Sequence, residues 1–382
     1  MRFEHSFNYD PDSLVDSEVN HDVLFREGKF NRNVTYTPRM LLVDLKGTLK
    51  YIPEEGNLYM SHQIELNNPE NNVLSQLRAD LNWDDQKIEV IESKNVPLPE
   101  YQKDLQQAGS SEAKDYNLKD TIENWPDFIY TRYHPRSINI VKEFEHSDEF
   151  TTLDTFSAGM KLWDTPVFED TFCDNIRAYI EECNHCQGFQ TMFDAVDGFS
   201  GLTIKCMEYL EDEYSKTIFG LPLVPPKIKS FKVADDPMSD SIRIINTAFT
   251  YAKLSEFSSL FVPLSTMSRA AKSVDEPRSF PFANYESTNL YHSSAILSTF
   301  IDTMSLRYRL KNSNASCSMT GFCSDLNAYG RKMAGGKLSM PFPMKEKEDL
   351  IDFLDRFDGN LMESVTPGVK IGTDRIIQSI SL

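Results

Sequence analysis

Apolar residues along the chain form short uninterrupted runs that alternate with longer segments of helical periodicity. The runs at 40–44, 137–141, 188–193 and 217–224 predict buried strands. The runs at 258–264 and 375–382 also predict strands, and residues 337–342 predict an extended segment. Elsewhere, apolar residues recur every three or four positions, which predicts amphipathic helices packed on a sheet, among them helices at 241–254, 285–303 and 350–357. This alternation is typical of an α/β fold with a mostly parallel sheet.

The pattern divides the chain into three parts. Residues 1–37 are polar and acidic and predict a lead-in without a core of its own. Residues 38–265 carry the clearest alternation and predict a nucleotide-binding-type α/β domain, with a charged surface insertion at about 94–124 that holds a short helix. Residues 266–382 predict a smaller α+β domain. Its last residues read as a strand, so we expect the sequence to be cut short there.

The net charge and the number of cysteines argue against some classes of protein function. The chain has 382 residues, with 39 basic and 58 acidic side chains and a net charge of −19. Such a surface repels phosphate backbones, which argues against nucleic-acid binding and favours a basic protein partner. Six cysteines are too few for a disulfide scaffold, and neither a signal peptide nor an apolar run of membrane-spanning length is present. These features predict a cytoplasmic protein that reaches membranes only peripherally.

One glycine-containing loop has the form of a phosphate site. Residues 197–201 read DGFSG and lie between a predicted strand and a helix that we expect to begin near Leu202. Backbone N–H groups at such a position bind anions. Asp197 would place a negative charge there, and a plain turn explains the glycines equally well. The string is one residue short of the Gly-x-Ser-x-Gly nucleophile elbow, which argues against a serine hydrolase.

Two other strings have weaker support. Residues 183–186 read CNHC, but a zinc site needs four ligands and the chain has no second CxxC pair. Small core thiols are the better interpretation, with a metal-binding module as the alternative. Residues 330–338 read GRKMAGGKL, a near match to a P-loop that lacks the Ser or Thr and the following helix.

Several strings resemble tubulins in the same order along the chain. Residues 183–190 read CNHCQGFQ, similar to the tubulin string C-D-x-L-Q-G-F-Q that precedes the phosphate loop G-G-G-T-G-S-G. Residues 38–47 read PRMLLVDLKG, similar to P-R-x-x-x-V-D-L-E-P. Further matches are FSAG at 156–159 to Y-T-E-G, INTAF at 245–249 to Y-N-x-x-L, and SLRY at 305–308 to S-L-R-F. The chain is therefore identified as tubulin-like, with a Rossmann-like domain followed by an intermediate domain.

The combination is most similar to the Misato proteins, a divergent tubulin-like family. The strings that carry this are VDLKGTL at 43–49, YHPRS at 133–137, DGF at 197–199, DEYS at 212–215 and SAIL at 294–297. The resemblance implies an insect member of the family. It implies roles in mitochondrial distribution and morphology and in spindle and microtubule organisation, at the mitochondrial outer surface. Tubulin or tubulin-folding machinery is the implied partner.

The resemblance also implies which residues occupy the nucleotide pocket. Asp44 matches the acidic residue near the magnesium of tubulin, and Lys46 replaces the neighbouring Glu. The phosphate loop is shortened to residues 197–201, and Asn246 matches a nucleotide contact. The pocket remnant therefore comprises Asp44, Lys46, Asp197, Gly198, Ser200, Gly201 and Asn246.

The loop that completes hydrolysis in tubulin matches residues 316–322. Its N-x-D pair becomes Ser316 and Ser318, its catalytic acid becomes Gly321, and the base-reading Asn falls near Thr266. Glycine cannot orient or deprotonate a water. We therefore expect a protein that is not an enzyme and holds no resident cofactor. An active GTPase with GTP and magnesium is the alternative.

Typical family members begin with a strand and a glycine-rich loop and continue beyond the position of Leu382. We therefore expect this sequence to be an isoform, a fragment or an incomplete gene model.

Overall fold

The computed structural model describes two compact units of the chain. It describes residues 18–30, 33–50, 52, 98–106, 116, 118, 122, 124–129, 133–146, 152–226, 237–269, 277–280, 282–311, 317–327, 330–339, 344–345, 348–357 and 362–369. One unit is formed by Leu24–Thr152 and the other by Arg2–Val23 with Leu153–Leu382. The predicted domain boundary at 265/266 stays a prediction.

The first unit contains a hairpin and a parallel strand pair. Its elements are β1 (Phe25–Phe30), β2 (Asn33–Pro38), β3 (Leu42–Lys46), α1 (Glu100–Gln106) and β4 (Ile138–Glu145). Strands β1 and β2 pair antiparallel, so the end of the predicted polar lead-in forms regular structure. The hydrophobic pattern missed it because FREGKF and NVTYTP alternate weakly. Strands β3 and β4 pair parallel, as expected for buried strands. Helix α1 is the short helix expected in the insertion.

The second unit has a parallel three-stranded sheet with helical crossovers. Its first half contains α2 (Phe156–Trp163), a π-helical turn (Val167–Phe172), α3 (Cys173–Glu181), β5 (Gly188–Asp194), α4 (Gly198–Tyr214), β6 (Thr217–Leu223), α5 (Pro237–Phe257) and β7 (Leu260–Phe261). Strand β6 lies between β5 and β7 and is parallel to both. Because parallel neighbours need a crossover, α4 and α5 connect successive strands.

The second half of this unit is more helical than the pattern predicts. It contains α6 (Leu290–Arg309), α7 (Met319–Leu326), β8 (Lys337–Leu338), α8 (Leu350–Arg356) and β9 (Glu363–Ser364). The predicted strand at 258–264 is reduced to β7 and an isolated bridge at Leu264. The first two residues of the expected extended segment 337–342 form β8, and residues 340–342 lie outside the described residues. The expected C-terminal strand at 375–382 lies outside the described residues.

One large apolar core fills the second unit around β6. Phe219 and Leu221 are fully buried against Leu260, Phe322 and Tyr308, with ring centroids 5.7 Å apart for Phe219 and Phe322. A smaller cluster in the first unit gathers Leu49, Ile52, Ile129, Tyr133, Ile138 and Ile140. Within the described ranges, no helix is long and apolar enough to cross a lipid bilayer.

Candidate functional site

The segment predicted as a phosphate loop is the first turn of a helix. Helix α4 begins at Gly198, four residues earlier than expected, with Asp197 as its N-cap. The Asp197 carboxylate accepts the Phe199 N–H at 2.9 Å, and the Gly198 N–H donates to the Leu153 carbonyl at 2.8 Å. The expectation of a tight loop over residues 197–201 is wrong, because the Asp197 N-cap supplies the acceptor that starts the helix at Gly198.

The glycines of this turn provide space for a neighbouring helix. A Cβ atom added to Gly159 on α2 would overlap the Gly198 carbonyl oxygen and lie 2.8 Å from the Leu202 nitrogen. A Cβ atom on Gly201 would overlap the Phe156 carbonyl oxygen and lie 2.9 Å from the Met160 nitrogen. The backbones of α2 and α4 therefore meet at a contact that only glycine permits. Gly198, Ser200 and Gly201 are all buried beneath it.

Acidic side chains surround the start of α4. Partial burial, reinforced by the charges of Asp194 and Asp154, raises the pKa of Asp197 to about 8, while Arg243 acts in the opposite direction. Ser200 donates from its hydroxyl to the Asp197 carbonyl. The N-terminus of α4 thus carries its own acceptors in a field that disfavours an added anion.

The side-chain amide of Asn246, on α5, forms hydrogen bonds to three backbone groups. Its side-chain nitrogen donates to the carbonyls of Asp154 at 2.6 Å and Val196 at 2.8 Å, and its oxygen accepts the Phe156 N–H at 2.9 Å. The residue is 2% exposed. Asn246 therefore joins α5 to the start of α2 and to the β5–α4 connection.

Asp44 and Lys46 belong to the first unit, at the end of β3. The Asp44 carboxylate accepts the Trp125 indole N–H at 2.8 Å, the Thr48 hydroxyl at 3.2 Å and the Leu45 N–H at 2.7 Å. Lys46 forms an exposed ion pair with Glu145 at 3.6 Å. Both side chains therefore have partners within their own unit.

The positions matched to the hydrolysis loop are also structural. Ser318 caps α7 by accepting the Gly321 N–H at 3.1 Å, and Gly321 lies inside that helix. Thr266 is 1% exposed, and Ser316 lies outside the described residues. Helix capping by Ser318 is a role that the spacing of Ser318 and Gly321 could have predicted.

The alternative metal site receives no support from the described part of the chain. No group of three His, Cys, Asp or Glu side chains there is placed to hold an ion. Cys183 donates to the Tyr179 carbonyl at 3.2 Å, and Cys186 lies 3.9 Å from the Gly188 carbonyl. Both thiols of the CxxC string are thus accommodated by local backbone.

Comparisons with known proteins agree with the tubulin-like fold. A model of the Misato Segment II tubulin-like domain matches residues 3–107, and a model of the tubulin domain matches residues 116–310. Protein misato of Drosophila melanogaster is 39% identical over 99% of this chain and 68% of its own length. Protein misato homolog 1 of Mus musculus is 32% identical over 88% and 60%, and that of Homo sapiens is 32% identical over 90% and 61%.

The chain thus spans between 60% and 68% of the length of these relatives. The ranges matched by the two family models contain Asp44 and Asp197. With its mixed helices and parallel strands, the chain belongs to the Misato family of tubulin-like proteins.

Proposed function

We propose that this chain acts as a non-catalytic tubulin-like protein through contacts with other proteins. The observation that carries the proposal is the complete engagement of Asn246 with three backbone groups. An amide whose two N–H groups and oxygen are already bonded has little left to offer a nucleotide. Breaking these bonds in a 2% exposed site would leave buried backbone groups without partners.

The start of α4 supports the same proposal. Phosphate binding at a helix N-terminus requires free N–H groups that point at the ligand. Here the Gly198 and Phe199 N–H groups donate to Leu153 and to the Asp197 carboxylate. A phosphate would have to displace both acceptors and approach the carboxylates of Asp194 and Asp154, whose negative charges oppose an added anion.

The proposed cellular roles are based on membership of the Misato family. We infer that the protein works in mitochondrial distribution and morphology and in spindle and microtubule organisation. It would be cytoplasmic and peripheral at the mitochondrial outer surface, with tubulin or tubulin-folding proteins among its partners. An acidic surface of net charge −19 suits a basic protein partner.

A titration with fluorescent GTP and magnesium tests the non-catalytic part. Purified chain is expected to give no saturable binding and no phosphate release, with αβ-tubulin as the positive control. Stoichiometric, magnesium-dependent binding that Asp44→Ala weakens would favour the alternative, an active tubulin-like GTPase. That alternative is supported by family membership itself.

The cellular part has a separate test. Depleting the protein in its own cells is expected to change mitochondrial distribution and spindle shape, and re-expression of the same chain should restore both. Normal mitochondria and spindles after depletion would contradict this role.

A further inference from the structure

Helix α5 has an inverted amphipathic pattern. Its buried face carries Asn246, Thr247 and Thr250, with Leu254 at the end. Met238, Ile245 and Phe249 are large apolar residues that are 66%, 52% and 53% exposed. A surface helix ordinarily turns its apolar residues inward and its polar residues outward.

Four of the exposed apolar residues of α5 lie along one line, and Ile244, which is 44% exposed, lies beside it. Met238, Ile245, Phe249 and Ala252 follow one another at intervals of seven, four and three, which places them on one side of an α-helix. We define these four residues as the α5 stripe, and it is about 20 Å long. Phe249 is supported from the side by Phe156, whose ring is stacked on it at 5.6 Å.

Internal packing explains the buried face but not the stripe. Asn246 binds three backbone groups, and Thr250 donates to the Asn246 carbonyl at 2.7 Å and lies 3.4 Å from the Ala195 carbonyl. These contacts hold α5 in a single orientation with the stripe facing outward. Rotation of the helix to bury the stripe would leave this set of polar groups unsatisfied. A contiguous exposed apolar surface of this kind typically marks a protein contact.

The charges around the α5 stripe indicate the sign of the charge that a partner would carry. Asp154 is exposed, and its carbonyl is held by Asn246, one turn from Phe249. Glu256 is exposed beyond Ala252, at the C-terminal end of the stripe. Lys253 and Glu256 pair with each other at 2.7 Å, so their charges offset. Arg243 donates to the Pro225 carbonyl at 2.8 Å and lies in the field of both Asp194 and Asp240, so acidic side chains outnumber basic ones near the stripe. With a net charge of −19 on each chain, a second copy would be repelled.

We propose that the α5 stripe docks an amphipathic helix of a partner protein, with Lys or Arg residues beside the helix's apolar side. The apolar side would cover Met238, Ile245 and Phe249, and the basic residues would lie beside the acidic side chains that flank the stripe, Asp154 among them. Helix-against-helix docking suits a narrow apolar line of this length. The inference rests on the proposed function through protein contacts and specifies the chemical class of the partner.

A peptide titration tests the docking site without knowledge of the natural partner. The probe is a fluorescein-labelled 18-residue Leu/Lys peptide with helical amphipathic spacing. A scrambled peptide of the same composition controls for charge, and a Leu/Glu peptide of the same spacing controls for sign. The amphipathic Leu/Lys peptide is expected to bind with the highest affinity, and added salt should weaken it because charge contributes.

Variants then locate the binding on the chain. Met238→Gln with Ile245→Gln keeps the charge and removes most of the apolar stripe, so peptide affinity is expected to fall by about tenfold or more. Ile351→Gln on α8 changes a residue that is 68% exposed and should leave the affinity unchanged. Circular dichroism checks that each variant is folded, and the single substitution Ile245→Gln repeats the test with less perturbation.

Three outcomes would overturn the inference. These are equal binding to wild type and to Met238→Gln/Ile245→Gln, equal binding of the amphipathic and scrambled peptides, and dimers of the chain alone that Ile245→Gln dissociates. The last would identify a second copy as the occupant. Titrating GTP into the same samples tests the two proposals separately. A variant can lose peptide binding while neither it nor the wild type binds nucleotide.

Discussion

The side-chain oxygen of Asn246 accepts a hydrogen bond from the backbone N–H of Phe156 at 2.9 Å. The two residues are 90 positions apart, on α5 and at the start of α2. Through this contact, the residue that resembles a nucleotide contact of tubulins holds two helices of the same unit together. Asn246 is therefore part of the buried core of the second unit.

Replacing Asn246 with alanine is expected to destabilise the second unit by about 2–4 kcal/mol, because three buried hydrogen bonds lose their partner. Urea unfolding followed by circular dichroism measures the change. Ser255→Ala, an exposed substitution on the same helix, is the control and should cost well under 1 kcal/mol. Equal stability of Asn246→Ala and the wild type would contradict a core role.

The contact between α2 and α4 makes a second prediction. Gly159→Ala places a methyl group against the Gly198 carbonyl and the Leu202 nitrogen, so the helices must separate. We expect a loss of about 2–4 kcal/mol or failure to fold. Gly321→Ala is matched to it, since that glycine also lies within a helix but has room, with the nearest atom at 3.5 Å. It should be neutral or stabilising by up to about 1 kcal/mol. Similar effects of the two substitutions would refute the close crossing.

The acidic neighbourhood of Asp197 predicts a dependence of stability on pH. Burial, with the charges of Asp194 and Asp154, raises the pKa of Asp197 to about 8 in the folded chain. An unfolded chain releases that proton near pH 4, so the folded state binds more protons between about pH 4 and 8. The contribution of Asp197 to stability is therefore fully present below about pH 4 and declines as pH rises through 8.

Asp197→Asn tests this pH dependence, because asparagine caps a helix as well as aspartate but does not ionise. The variant should match the wild type near pH 4 and exceed its stability by about 1–3 kcal/mol at pH 8 to 9. Asp212→Asn, an exposed change on the same helix, should have no such effect. Parallel stability curves for Asp197→Asn and the wild type would argue against a raised pKa.

Asp44 and Trp125 form a contact that a double-mutant cycle can measure. The indole N–H donates to the carboxylate at 2.8 Å. Trp125→Phe and Asp44→Ala should each destabilise the first unit, with a coupling energy of about 1–2 kcal/mol. A coupling near zero would indicate that the two side chains act independently.

The hydrophobic pattern predicted the elements that bury a continuous apolar segment. Strands β4, β5 and β6 and helices α5 and α8 lie within about four residues of their expected positions, and α6 begins and ends about five to six residues later than expected. The hairpin β1–β2 was missed, because its two segments, FREGKF and NVTYTP, alternate only weakly between apolar and polar residues. The start of α4 was placed too late, because Gly198 and Gly201 disfavour a helix locally and are accepted only where another helix packs on them.

The order of apolar runs and helical segments along the chain determined the α/β class. The strings that resemble tubulins and Misato proteins determined the family. Both depend only on which residues occur and at what spacing. The sequence also located Asp44, Asp197 and Asn246 as positions of interest. Only the tertiary structure decided what these residues do. Hydrogen-bond partners come from segments up to 92 residues away, and the pKa of Asp197 depends on carboxylates brought near by folding. The same holds for the α5 stripe, whose outward direction is fixed by the bonds of Asn246 and Thr250 on the opposite side of the helix.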